Sequence, residues 1–481
     1  MKRVPFYYFV VIGLVVLMIA GVIRLGSSLP SPGGIAEPDT VATENAAVGS
    51  VWEAALAGIG ENFSHPLGRL FLQLLVIIGV SRLTGQLFAR LGQPAVVGEM
   101  AAGILLGPSL FGLLSPGGFA FVFPESSLEA LKLLSQVGVC LFMFAVGMEL
   151  DWNHVRHKAQ ALLAMSHAGI VFPYLLGVLL AWPLFGSLAG PGTTFTAFAL
   201  FMGISMSITA FPVLARILQD RGLTKTPLGH TALTCAAVGD VTAWSILAFA
   251  VAIAQASSLG GVAVNLIFVL VFVVAMVWGV RKALPALLGE RRLASNEPSK
   301  GTLAAVLCVV VAAALCTEAI GIHALFGAFL AGAIMPDRHG FRHKINVRVE
   351  NFSTVLLLPL FFAYTGLRTH IGLLDDLEGW LLCLLIIAVA TLGKLGGSAV
   401  AARFTGMGWR DSLQLGALMN TRGLMELIAL NIGYDLGILS PRIFAMLVIM
   451  ALATTMLTGP LLTLFGGRKA DAASPDGAMR A

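Results

Sequence analysis

The stretch LGHTALTCAAVGDVTAWSILAFAVAIAQAS, residues 228–257, decides the class of this chain. It exceeds the roughly 20 apolar residues that a helix needs to cross a hydrocarbon core. Near its middle sits an acid, Asp240, between Ala236-Ala237-Val238-Gly239 and Val241-Thr242-Ala243-Trp244. An ionisable side chain at mid-bilayer costs at least about 2.5–3.5 kcal/mol on insertion scales, so such residues mark chemistry. The stretch reads as a membrane helix carrying a functional carboxylate.

Working outward, fourteen such stretches divide the chain. They span 5–25, 67–89, 95–113, 128–149, 159–185, 194–218 and 228–257. They continue at 260–281, 302–320, 322–336, 350–367, 378–402, 410–433 and 440–466, with the pair 302–320 and 322–336 short. Composition agrees, with 57% hydrophobic and 11% charged residues. A soluble domain carries about 25% charge, so the missing solvent is lipid. The 54 glycines suit helices packed closely in a bilayer.

Loop charges test this count independently, because Lys and Arg accumulate on the cytoplasmic side. With the N-terminus inside, the inner loops hold Arg90; Arg156 and Lys158; Arg221 and Lys225; and Arg281, Lys282, Arg291, Arg292 and Lys300. They continue with Arg338, Arg342, Lys344 and Arg348; Arg403 and Arg410; and Arg468 and Lys469. The outer segments hold few: Arg24, Arg69, Arg368 and Arg442. One missed helix would scramble that alternation. The net charge of +5 is thus topological and calls for no nucleic-acid partner.

The basic start, the apolar run 5–25 and the polar segment after it resemble a signal anchor or signal peptide. The expected organisation is that element at 1–25, an external linker at 26–65, a transmembrane domain at 67–466 and a short cytoplasmic tail at 467–481. The expected location is the cell's inner (plasma) membrane, multi-pass, with both termini cytoplasmic if the first helix is retained. Cys140, Cys235, Cys308, Cys316 and Cys383 all lie in apolar stretches and read as buried packing residues, with no paired CxxC.

Besides Asp240, the ionisable residues expected inside the membrane are Glu99, Lys132, His230, Glu318, His323, Lys394, Arg422 and Glu426. A desolvated carboxylate disfavours its bare charge, so Asp240 can hold a proton or a small cation. Two ligands competing for one site is the minimum equipment for exchange. The plain alternative is a carboxylate satisfied by a neighbouring helix. Two stretches also look broken: Gly203-Ile204-Ser205-Met206-Ser207-Ile208-Thr209-Ala210-Phe211-Pro212 and Met419-Asn420-Thr421-Arg422-Gly423-Leu424-Met425-Glu426. Unwound backbone at membrane depth lines a cavity, where carbonyls and hydroxyls can bind an alkali cation. An ordinary Pro212 kink with back-bonded Ser and Thr accounts equally well for 203–212 alone. Lys394 is mid-span and needs a partner to stay charged, whereas Arg422 stays charged regardless and pairs with Glu426 or a helix end. Glu99 is open between the ion path and helix packing.

These residues carry a resemblance covering about 67–466. The chain resembles the monovalent cation:proton antiporter superfamily, in the branch with plant cation/H+ exchangers and bacterial Na+(K+)/H+ antiporters. The likeness rests on Gln93-Pro94-Ala95-Val96-Val97-Gly98-Glu99 leading to Gly103-Ile104-Leu105-Leu106-Gly107-Pro108-Ser109, and on Ser207 through Leu218. It rests further on His323-Ala324-Leu325-Phe326-Gly327-Ala328-Phe329, Leu358-Pro359-Leu360-Phe361-Phe362, and Met419 through Gly433. The resemblance implies an all-α polytopic fold of about 13 core transmembrane helices with inverted repeats. It implies two crossed broken helices, 194–218 and 410–433, and a homodimer. One bundle would move against a dimerisation scaffold, as an elevator, with Asp240 as the ion-binding carboxylate and Thr209 close by. Lys394 matches the membrane lysine of the sodium/proton members. Many members place Asp or Asn where this chain has Gly239, so a single acid makes one-for-one, electroneutral exchange the expectation.

The expected function is exchange of a monovalent cation, K+ or Na+, for H+, without a cofactor. The ligands would be Asp240, Ser207 and Thr209; Lys394, Gly239, Pro212, Thr421, Arg422, Glu426 and Glu99 would support the site. A channel or a non-transporting sensor with the same fold is the alternative. An enzyme is disfavoured, since HExxH, GxSxG and paired catalytic carboxylates are missing from the sequence.

Overall fold

The computed structural model describes residues 65–149, 159–255, 259–295 and 297–466. The element expected at 1–25, nearly all of the linker 26–65 and the tail 467–481 lie outside the described residues. The described residues are helical, apart from connections and an isolated bridge between Ala189 and Leu439. Every apolar stretch from residue 67 onward carries helix. In lipid a helix satisfies all its backbone groups within one segment, which is why this composition takes that form.

In chain order the helices are α1 (Pro66–Arg90), α2 (Ala95–Leu106), α3 (Leu128–Glu149) and α4 (Ala159–Leu188). A broken pair follows, α5a (Phe195–Ser207) and α5b (Phe211–Asp220), then α6 (Pro227–Gln255) and α7 (Leu259–Val274). The second half holds α8 (Lys300–Ile320), α9 (Ala324–Ala333), α10 (Leu358–Leu367) and α11 (Leu377–Phe404). It closes with a second broken pair, α12a (Trp409–Met419) and α12b (Leu424–Asp435), and with α13 (Pro441–Gly466). Eleven described helical segments are long and apolar enough to cross a membrane, and α9 is a shorter apolar helix. The broken pair thus stands fifth from the start of each half, α1–α6 and α8–α13.

Hydrogen bonds sort the connections onto two ends. At one end Arg221 donates to Thr463, Arg410 to the Phe465 carbonyl, Lys344 to the Ser295 carbonyl and Arg348 to the Pro298 carbonyl. At the other end Ser440 donates to the Leu188 carbonyl and Ser109 to the Thr369 carbonyl, and Arg442 pairs with Asp376. The first set joins the basic loops and the second joins segments poor in Lys and Arg.

The helices pack as two bundles, α1, α2, α3, α8, α9 and α10 in one, and α4, α5a, α6, α11, α12a and α13 in the other. Glycine sets the closest approach in the first. A Cβ on Gly366 would stand 1.9 Å from the carbonyl carbon of Gly103, and one on Gly103 would stand 2.0 Å from the Phe362 carbonyl oxygen. Only glycine lets α2 and α10 meet there, the small-residue packing that membranes favour. Outward faces carry Phe71 and Leu75 on α1, Ile267 and Phe268 on α7, and Val311 and Leu315 on α8, all exposed as lipid-facing residues are. Cys308 and Cys316 are exposed too, against the expectation of burial, because they lie on that outer side of α8.

Candidate functional site

The site begins with two helix breaks. Pro212 lacks an N–H and sits in the first turn of α5b, where the missing donor costs least. The preceding residues are extended, Ile208 at φ −68°, ψ 138° and Ala210 at φ −87°, ψ 96°. The second break falls between Met419 and Leu424. Gly423 leaves room for the crossing, since a Cβ there would stand 2.9 Å from a methyl of Val213.

Where the breaks cross, the first donates hydrogen bonds to free carbonyls of the second. The Ala210 N–H donates to the Thr421 carbonyl at 3.0 Å, and the Thr209 hydroxyl donates to the Met419 carbonyl at 3.0 Å. The Ser207 hydroxyl donates back to the Ile204 carbonyl at 3.0 Å, and the Thr421 hydroxyl to the Leu418 carbonyl at 2.7 Å. Thr455 ties the crossing to α13, accepting from the Arg422 N–H at 2.9 Å and donating to the Arg422 carbonyl at 2.8 Å.

Two cations finish the end of α5a, whose last carbonyls carry the negative end of the helix dipole. Arg422 donates to the Ser205 carbonyl at 2.5 Å and to the Met206 carbonyl at 2.7 Å. Lys394 of α11 donates to the Ser207 carbonyl. Arg422 also pairs with Glu426 at 3.2 Å, with both side chains 0% exposed. Arg422 thus does both things expected of it: it meets Glu426 one turn on, and it closes a helix end.

Asp240, on α6, is 2% exposed, and neither carboxylate oxygen has a protein hydrogen-bond partner. Among the described residues, the charged groups in electrostatic reach of it are Lys394 and Glu149. Asp240 thus has Lys394 in electrostatic reach, and Lys394 in turn donates to the Ser207 carbonyl at the crossing that holds Thr209, Thr421, Arg422 and Glu426. Gly239 lies alongside on α6, where an added Cβ would meet only Ser166 Oγ at 3.5 Å and Ile170 Cδ1 at 3.8 Å, ordinary contacts. Glu99 is elsewhere: on α2 it pairs with Arg82 of α1 at 3.6 Å.

Glu149, at the end of α3, is a residue the sequence reading passed over. It is hydrogen-bonded to Asn346 and close to Glu350. Its place at the very end of an apolar stretch was a weak signal, easily read as a solvated boundary.

A family profile described as sodium/hydrogen exchanger, transmembrane, matches residues 75–466. The chain belongs to the sodium/hydrogen exchanger family. Among members of this exchanger family, the Na+/H+ antiporter NhaS4 of Synechocystis is 45% identical over 397 residues, 82% of this chain and 96% of that protein. Cation/H+ antiporter 17 of Arabidopsis thaliana is 39% identical over 84% of this chain but only 49% of its own length. The K+/H+ antiporter 1 of Saccharomyces cerevisiae is 32% identical, again over about half of its own length (47%). The sodium proton antiporter structure from Methanocaldococcus jannaschii superposes with a TM-score of 0.58 over 84% of this chain and 98% of that one. At 14% identity that match shows the exchanger fold alone.

Proposed function

We propose that the protein exchanges a monovalent cation, K+ or Na+, for H+ across the membrane, with the two competing for Asp240. The observation that carries this reading is the contrast inside one bundle: Arg422 and Lys394 are hydrogen-bonded, while both oxygens of Asp240 are buried without a partner. A bare carboxylate there is costly, so the site is neutralised by a proton or by a cation. The Ser207 and Thr209 hydroxyls spend their protons on backbone carbonyls, which leaves oxygen lone pairs as hard ligands beside the crossing. Relatives bear the names Na+/H+ antiporter and K+/H+ antiporter, and both substrates suit such oxygens.

The bundle containing α4, α5, α6, α11, α12 and α13 moves, elevator-fashion, against the bundle of α1–α3 and α8–α10. It crosses loaded with a proton one way and with a cation the other. The empty, charged state crosses poorly, and that penalty couples the two fluxes. With Gly239 beside Asp240 the site has one acid, and exchange is one-for-one and electroneutral. The scaffold bundle forms a homodimer in the plasma membrane, with the basic loops in the cytoplasm.

The test is proton movement in proteoliposomes of the purified protein, read by a pH dye as K+, Na+, Li+ and Rb+ are added in turn. One or two of these ions should release protons from the vesicles, and Asp240→Asn, still folded, should not. Normal exchange in that variant would overturn the competition at Asp240. Silence with every cation would favour a channel or sensor on the same fold, and a clear response to an imposed membrane potential would remove the electroneutral stoichiometry.

A further inference from the structure

The two bundles are tied together at the end that the loop charges assign to the outside. Asp435, the last residue of α12b, is paired with Arg368 just beyond α10 and with Lys132 of α3 at 3.6 Å. Asp435 belongs to the bundle that moves in the proposed function; Arg368 and Lys132 belong to the scaffold. Arg368 also donates to Asn431 Oδ1 at 3.2 Å, and Asn431 Nδ2 donates to the Thr365 hydroxyl at 2.8 Å. The Arg368 guanidinium lies 4.3 Å from the ring centroid of Tyr434 and 5.0 Å from that of Tyr364. Each of these contacts except the one with Tyr364 crosses the seam between bundles. A cavity of about 30 Å³ lies directly beneath, lined by Ser135, His323, Tyr364, Asn431 and Asp435, among others. The seam therefore holds a small void beside the charged cluster.

At the basic end the seam is held differently. There Gln93 Nε2 meets the Met456 carbonyl across it at 3.4 Å, a long neutral contact. Glu149, in electrostatic reach of Asp240, ends α3 on that side. Charge fastens the outer end of the seam.

We propose that Asp435, held by Arg368 and Lys132, is a latch between the two bundles, closed while the outer end of the seam is shut. It must open each time the site turns to the other side. The strength suits that task. The side chains are 26% exposed for Asp435, 18% for Arg368 and 35% for Lys132, so the pairs are partly screened. Such pairs bias an equilibrium without locking it.

This inference rests on the reading of a bundle that moves against a scaffold, and its test separates the two. Hydrogen–deuterium exchange of the full chain in lipid nanodiscs would compare the wild type, Asp435→Asn, Arg368→Asp, and the swapped pair Arg368→Asp with Asp435→Arg. Asp435→Asn should speed exchange of amides in 364–373 and 431–440 by about two- to fivefold, the range expected of partly exposed ion pairs. The swapped pair should recover part of that protection, since the new arginine also faces Lys132, and α5b should not change. Unchanged exchange in Asp435→Asn, or a swap no better than Arg368→Asp alone, would overturn the latch. Should Asp435→Asn fail to fold, Lys132→Met removes the longer pair and must give the same direction of change at 431–440. Asp240→Asn should lose transport and keep the outer seam protected, so failure of the exchange reading and failure of the latch are told apart.

Discussion

The helix crossing and the carboxylate beside it are equally dry and are treated in opposite ways. At the crossing, Arg422 fills two carbonyls and a carboxylate, and Lys394 fills a third carbonyl of the same helix end. On α6, Asp240 is just as desolvated and receives no hydrogen bond. A bundle that spends two cations on backbone carbonyls while leaving an acid unpaired is not short of donors. The difference separates a support, built to stay as it is, from a group kept open to a mobile partner.

The largest way to break this comparison is to strip the support. Arg422→Leu leaves Glu426 buried without its partner and three dry hydrogen bonds unmade. Removing one member of a buried pair costs about 3–5 kcal/mol. The variant should show a large drop in the thermal midpoint in detergent, with poor recovery from membranes. A midpoint near the wild type would mean that Arg422 is not the support described here.

Removing Lys394 tests both sides of the comparison at once. Lys394→Met leaves the Ser207 carbonyl uncapped, a loss of about 1–3 kcal/mol for an unsatisfied buried acceptor. It also takes from Asp240 a lysine in electrostatic reach of it. The expected result is a folded, less stable protein whose exchange has a shifted dependence on pH. Exchange with an unaltered pH profile would show that Lys394 serves the helix end alone.

Much of this was readable from residues in order. The apolar stretches, both breaks and the i, i+4 relation of Arg422 to Glu426 all follow from local pattern, because lipid forces each segment to satisfy itself. What could not be read was partnership between distant segments. Nothing in the spacing of 205–207, 394 and 422 says that two cations share one helix end, and that sharing gives the support its strength. Glu99 read equally as ion path or helix packing, and its pairing with Arg82 of the neighbouring helix had no signal in the order of residues. Lys132 read as one more ionisable residue inside the membrane, and Arg368 as one of the few outer-segment charges. Together they hold Asp435, which had no pattern to single it out.

Gly239 gives a smaller and sharper test, because it separates packing from chemistry next to the open carboxylate. Its added Cβ would make only ordinary contacts, at 3.5 Å or more. Gly239→Ala should therefore be neutral or stabilising, by up to about 0.5–1 kcal/mol through the helical backbone alone. Exchange should persist, since Asp240 keeps its surroundings. A clear destabilisation would mean that α6 needs glycine to approach α4, and the single-acid site would then be a packing constraint.

The smallest expected effect comes from a charge pair in water, which calibrates the dry ones. Asp376 precedes α11, pairs with Arg442, and accepts the Gly379 N–H at 2.8 Å as an N-cap. The Arg442 hydrogen bond first, and the Gly379 N–H second, hold its carboxyl below the usual value. A depressed carboxyl contributes stability above its unfolded value, near about 3.9, and loses it as the pH falls through the folded one. Asp376→Asn keeps an acceptor for the cap and removes the charge. Its thermal midpoint should sit slightly below the wild type above about pH 5, and the gap should close as carboxylates protonate below that. A gap that stays constant with pH would assign the effect to the cap geometry. A gap as large as that of Arg422→Leu would contradict the premise that burial, and not pairing as such, sets what a charge is worth in this protein.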